Sequence, residues 1–275
     1  MTVIHLSNPA GAKAAVSRYG AHLLSWSTGC GKDWIFLSKK ALFEPGKAIR
    51  GGVPVIFPQF NEFGSGMRHG FARISEWTLE ENARQSPHQV MLSLHSSEAT
   101  RSRWPWDFAA RYCVVLQEEQ LSMTLMVENT DSKPIEFTAA LHTYLKVNDF
   151  AQARIQGLQD YSFWDNDSGP FTQRSPFRDA ELCFTDAIDR VYFAVDRPLR
   201  LRDGADELGI AMTGFKDVVI WNPGAEAARG LVDLDDAEYL QMLCVEAACI
   251  DQPVRLEPGE TWQGSQILRR SRVSL

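Results

Sequence analysis

The strongest constraint on this chain is a run of strict alternation, "LSMTLMVENT", at residues 121–130. Leu121, Met123, Leu125 and Val127 fall on one face, and Ser122, Thr124 and Glu128 on the other. Period two is the pleat of a strand with one side in a core and one toward water. A second stretch, "PIEFTAALHTYLKV" (134–147), alternates as well, with Ile135, Phe137, Ala139 and Leu141 on its apolar side. That phasing puts His142 on the other face, with Glu136, Thr138, Ala140 and Tyr144. "YLQMLCVEAACI" (239–250) is largely apolar on both faces and predicts a central strand covered on both sides. Turn formers separate the extended runs: "DGAD" (203–206), "NPG" (222–224) and "EPGE" (257–260). "DVVIW" (217–221) and "QGSQIL" (263–268) add candidate strands, and the one helical expectation is a short turn over Asp235–Glu238. No repeat, low-complexity tract or linker interrupts the pattern. The expectation is an all-β fold, a large antiparallel β-sandwich or barrel, as a single domain over residues 1–275.

Composition narrows the function classes. With 44% hydrophobic and 23% charged residues the chain matches a soluble globular protein with a sizeable core. A net charge of -7 argues against a general nucleic-acid binder, which is usually basic. No apolar run approaches the ~18 residues of a membrane span. The opening "MTVIHLSNPAGAK" lacks the basic start and apolar stretch of a signal peptide. The five cysteines are odd in number and form no C-x-x-C pair, so they are expected as reduced thiols in a cytoplasmic protein. The six histidines are scattered, without H-x-H, H-E-x-x-H or Cys/His pairing, and no metal is expected. G-x-S-x-G, G-x-G-x-x-G and Walker A runs do not occur, so no serine nucleophile, nucleotide or other cofactor is expected.

Against this acidic background, "RHGFAR" (68–73) gathers Arg68, His69 and Arg73, and "IRGGVP" (49–54) adds Arg50. A guanidinium can give two parallel hydrogen bonds to a phosphate and stays charged at any relevant pH. The residues leave two readings open: an anion site, or ion pairs with nearby acids such as Glu62 or Glu76. Glu246 shares its face with Leu240, Met242, Cys244, Ala248 and Ile250. A carboxylate there is either an edge position or structural ion pair, or a buried general base, since an uncompensated buried acid is costly. His142 is either a hydrogen-bonding residue of the strand or a catalyst. "RWPWDF" (103–108), the only local tryptophan cluster, is expected as packing or pocket wall rather than a polysaccharide platform.

Taken together, "YGAHLLSW", "IRGGVPVIFPQF", "HGFAR", "ALHTYLKV", "IDRVY", "WNPG", "CVEAA" and "LEPGETWQGSQ" follow one another from about residue 15 to 270. This order resembles the aldose 1-epimerase family, and within it the hexose-6-phosphate mutarotase branch. The resemblance implies a β-sandwich with the sugar on its concave face. It implies His142 as general acid, Glu246 as general base, Asp189 as a sugar-binding acid, and Arg50 and Arg73 as arginines favouring a phosphorylated sugar. Arg68 departs from the branch, where Gln often precedes "HGFAR"; it is expected either on the phosphate or pointing away. His69 is expected as scaffold or substrate contact. The implied reaction opens a hemiacetal ring by acid and base and recloses it on the other face, with His142 as imidazolium and Glu246 as carboxylate. The expected partner is a small sugar phosphate, with no nucleic acid and no membrane, and the chain as monomer or weak homo-oligomer. The alternatives are an enzyme acting on unphosphorylated aldoses and a sugar-phosphate binding or regulatory protein without turnover.

Overall fold

The computed structural model describes residues 1–80, 86–166 and 169–271. Two large antiparallel sheets carry the fold. One runs Ser175–Pro176, Ser162–Asp165, Ile188–Tyr192, Asp217–Asn222, Met242–Leu256, Ile135–Leu141 and Val55–Ile56, with Tyr144–Lys146 also paired to Met242–Leu256. The other, nine-stranded among the described residues, is built around Gln120–Asn129, which pairs with Phe108–Leu116 on one side and Thr261–Ser271 on the other. A three-stranded sheet (Val3–Ser7, Lys13–Ser17, Leu23–Ser27) completes the architecture.

The alternation in "LSMTLMVENT" survives intact. Leu121, Met123, Leu125 and Val127 are buried, and the residues between them only partly so. They join one buried cluster with Leu141, Leu243, Val245 and Ala247 of the first sheet, so the main core lies between the two sheets. The strand Met242–Leu256 is buried on both faces as far as Ile250. Its second face looks away from the main core onto two smaller apolar clusters. One holds Ala248 and Ile250 with Ile56, Phe60, Trp164 and Val219. The other holds Met242 and Cys244 with Phe36, Tyr144 and Leu234. Glu246 stands on that face between them.

Two expectations shift at their edges. The strand expected to start at Tyr239 starts at Met242, and the helical turn expected over Asp235–Glu238 is a 3-10 turn at Glu238–Gln241. Asn222 Nδ2 donates to the Tyr239 and Met242 carbonyls, which bends the chain there. Leu240, expected beside Glu246, is therefore largely exposed. The run 134–147 is two strands, Ile135–Leu141 and Tyr144–Lys146, broken at His142 and Thr143. None of the five cysteines is in a disulfide. Among the described residues no helix is long and apolar enough to cross a membrane.

Candidate active site

The break at His142 brings it beside Glu246. The His142 amide leaves the sheet to donate to Pro54 O (3.1 Å), while Val245 N donates to Thr143 O (3.0 Å). Thr143 Oγ1 donates to Gln266 Oε1 (2.5 Å), and Gln266 Nε2 donates to Val245 O (2.9 Å). One fully buried amide from the opposite sheet thus grips the residue after His142 and the residue before Glu246. Gln266 lies in the "WQGSQ" stretch, whose only signal in the sequence is apolar flanking.

His142 Nε2 lies 3.3 Å from Glu246 Oε1. Glu246 Oε2 and His142 Nδ1 are buried with no hydrogen-bond partner among the described residues. The imidazole stacks on Tyr144 (centroids 4.8 Å apart, planes at 8°) and meets Trp221 edge-on at 6.1 Å. Burial pushes the Glu246 carboxyl well above its usual range, reinforced by the Asp189 charge and opposed by Arg73. Burial pushes His142 well below its usual range, reinforced by His69, Arg73 and Arg50. The sequence led to an imidazolium and a carboxylate held by mutual attraction. Burial of both groups works against that pair of charges and toward the neutral forms, while Arg73 pulls Glu246 the other way.

Around this pair opens a cleft of about 280 Å³. Arg50, Arg68, His69, Arg73, Asp189, His142 and Glu246 all line it, together with Phe60, Asn61, Trp164, Trp221 and Asp233. Arg50 does have an acid, but neither of the two expected. Its Nε donates to Asp233 Oδ1 (3.1 Å) and its Nη1 to Tyr144 OH (3.0 Å), which raises its pKa against burial. Glu76 pairs with Arg18 instead (3.4 Å). Arg73 Nη2 donates to Arg68 O (3.1 Å), and its buried Nε has no hydrogen-bond partner among the described residues. Arg68 Nε donates to Asn61 Oδ1 (3.1 Å). Among the described residues neither Arg68 nor Arg73 forms an ion pair. Burial, with the charges of Arg50 and Arg68, brings Arg73 down to about 10.

His69 is both scaffold and cleft wall. Its amide donates to Asn61 O (3.1 Å) and its Nδ1 accepts from Asn61 N (3.2 Å), so the proton of the neutral ring sits on Nε2. Burial and the flanking arginines push it down to about 3, leaving a neutral donor 5.8 Å, ring to ring, from His142. Asp189 Oδ2 accepts from Asn166 Nδ2 (3.0 Å) at the cleft wall. The glycines of the two motifs permit close backbone contact. A Cβ on Gly52 would meet His22 Nε2 at 2.2 Å and Leu23 O at 2.4 Å, and one on Gly70 would meet Phe57 O at 2.0 Å.

Asp233 was not singled out in the sequence, because an acid in "LVDLDD" carries no pattern that sets it apart. Tyr144 was visible only as a companion of His142 by period two, and Trp221 only as the start of "WNPG". Trp104 packs edge-on against Phe57 (5.4 Å) and, with Trp106, lines a different cleft behind the 59–70 loop. Among the described residues no group of His, Cys, Asp or Glu could hold a metal ion. What the pair can do is move a proton off one oxygen while placing one on a neighbouring oxygen of the same carbon.

The family model described as aldose 1-epimerase matches residues 2–269. A Cenchrus ciliaris protein provisionally named glucose-6-phosphate 1-epimerase is 36% identical over 264 residues, 91% of this chain and 79% of that protein. An Escherichia coli K12 protein of the same provisional name is 32% identical over 268 residues, 94% of this chain and 88% of that protein. The crystal structure of a provisionally named mutarotase from Salmonella typhimurium superposes with a TM-score of 0.88 at 29% identity, covering 98% of this chain and 90% of that one.

Proposed function

The chain belongs to the aldose 1-epimerase family, and from that premise we propose that it interconverts the α and β anomers of a hexose 6-phosphate, glucose 6-phosphate foremost. The observation that carries this reading is the His142–Glu246 contact in a cleft that also holds two arginines without ion-pair partners among the described residues. Glu246 takes the proton of the C1 hydroxyl while His142 protonates the ring oxygen. The C1–O5 bond breaks, the C1–C2 bond rotates, and the ring recloses on the other face with the two roles exchanged. Each positioned group contributes about 10²–10⁴-fold. The ionised partition needed for this is the minor one by burial. A phosphate dianion set against Arg73 weakens the positive field that lowers both His142 and Glu246, and so raises both groups. Asp189 and the Nε2–H of His69 hold ring hydroxyls, Arg50 supports the substrate from the opposite wall, and Trp164 and Trp221 supply apolar surface.

The test is anomer exchange by NMR magnetisation transfer on glucose 6-phosphate and free glucose, for the wild type, Glu246→Gln and a protein-free blank. Faster exchange on the ester, lost in the variant, is the expected result. Acceleration of glucose alone would remove the phosphate assignment. Binding without acceleration of either sugar would leave a binding protein.

A further inference from the structure

The cations of the cleft fall into two classes. Among the described residues Arg68 and Arg73 form no ion pair with a carboxylate, whereas Arg50 spends Nε on Asp233 and Nη1 on Tyr144. Asp233 itself lines the cleft, with 16% of its side chain exposed. An acid fixed at the wall of a cleft that receives a dianion works against that dianion, because like charges across a partly desolvated gap repel.

We propose that Asp233 is a specificity-determining residue, a built-in competitor of the substrate's phosphate for Arg50. It weakens the hold on any dianion and steers the phosphate to Arg68 and Arg73. The phosphate's position then fixes which end of the sugar reaches His142 and Glu246. This inference rests on the reading that the cleft takes a phosphate ester.

Asp233 can play this part without being needed for the fold. The segment that carries it, residues 229–237, is anchored independently. Leu234 is buried among Phe36, Tyr144 and Met242. Asp235 pairs with Lys40 (3.3 Å). The buried Glu238 carboxylate at the segment's end accepts from Ser38 Oγ (2.6 Å), Lys39 N (3.0 Å) and Asp235 N (3.1 Å). Asp233→Asn keeps the shape and an oxygen for Arg50 Nε, and removes only the charge.

The experiment titrates wild type, Asp233→Asn and the control Asp235→Asn with inorganic phosphate by calorimetry, then measures anomer exchange on glucose 6-phosphate and glucose. Asp233→Asn should bind phosphate about tenfold tighter and lower KM for the ester relative to glucose. Asp235→Asn should match the wild type. A double-mutant cycle with Arg50→Gln should give a coupling between positions 50 and 233 for phosphate binding, since the cycle isolates the pair. Unchanged or weaker phosphate binding in Asp233→Asn overturns the proposal. So does a parallel loss on ester and glucose, which would make Asp233 a reader of a sugar hydroxyl. Tighter phosphate in a protein that exchanges no anomers would leave Asp233's role standing and remove the reaction.

Discussion

Glu246 Oε1 and His142 Nε2 sit 3.3 Å apart, while Glu246 Oε2 is buried and turned to no partner among the described residues. A carboxylate kept for structure would spend both oxygens, as Glu238 does with three donors. The idle oxygen marks a group held ready for something that arrives. Burial sets its charge, so pH is the most direct probe.

With substrate titration corrected, kcat/KM should be bell-shaped with unusually wide shoulders. The active proton count is one proton on the pair. Burial lowers His142, so the acid limb falls below the ordinary histidine range. Burial raises Glu246, so the basic limb falls above the ordinary carboxylate range. A rate profile rising with pH through the ordinary imidazole range would contradict this.

The raised Glu246 also makes a stability prediction. The folded state binds its proton more tightly than the unfolded state, so this group's contribution is full below the ordinary carboxylate pKa and is lost as pH rises toward the folded value. Glu246→Gln removes that titration. Its melting temperature should match the wild type in acid and exceed it increasingly from about pH 4.5 upward. A gap that closes with rising pH would reverse the sign and refute the assignment.

Arg73→Ala should raise KM for glucose 6-phosphate far more than for glucose. Losing one buried charge-assisted partner costs about 2–5 kcal/mol, roughly 30-fold or more in affinity. Steady-state kinetics on the two sugars decides it, and equal losses on both would sink the phosphate role.

Gln266→Leu should act at a distance. It removes the amide's bond to the Val245 carbonyl and leaves the Thr143 hydroxyl only its long contact to Leu141 O (3.4 Å), at about 1–3 kcal/mol for an unsatisfied buried group, as measured by denaturant unfolding. Because those residues flank Glu246 and His142, kcat should fall more than KM rises. A variant destabilised to that degree but with kcat intact would show that the clamp does not position the pair.

Gly70→Ala should be among the most damaging small changes. The added Cβ would lie 2.0 Å from Phe57 O, at a φ of +65° that a side chain rarely adopts. The expected loss exceeds about 2 kcal/mol, read as a lowered melting temperature, with weakened ester binding because Arg68 and Arg73 flank this turn.

Much of this site was readable in advance, and the reason differs by residue. His142 was phased onto the face with Tyr144, and Glu246 onto the one with Ala248, by alternation, which depends only on the pleat of a strand. The arginines announced themselves as charge gathered beside glycines. The break after Leu141 was not visible, because the groups that hold it, Pro54 and Gln266, are distant in the chain. Asp233 was not visible either, because an acid in a polar loop looks the same whether it meets water or Arg50.

The sequence by itself pointed to an all-β fold and to several of its strands, 121–130 with the faces of its side chains, since period two is local chain geometry. It also determined which groups could carry acid, base and anion chemistry. Only the tertiary structure decided that His142 touches Glu246, that Arg50 pairs with Asp233 while among the described residues Arg68 and Arg73 form no ion pair, and that burial works against charge on the central pair. Those are matters of long-range contact and of water excluded by packing, and neither is encoded in any one stretch of chain.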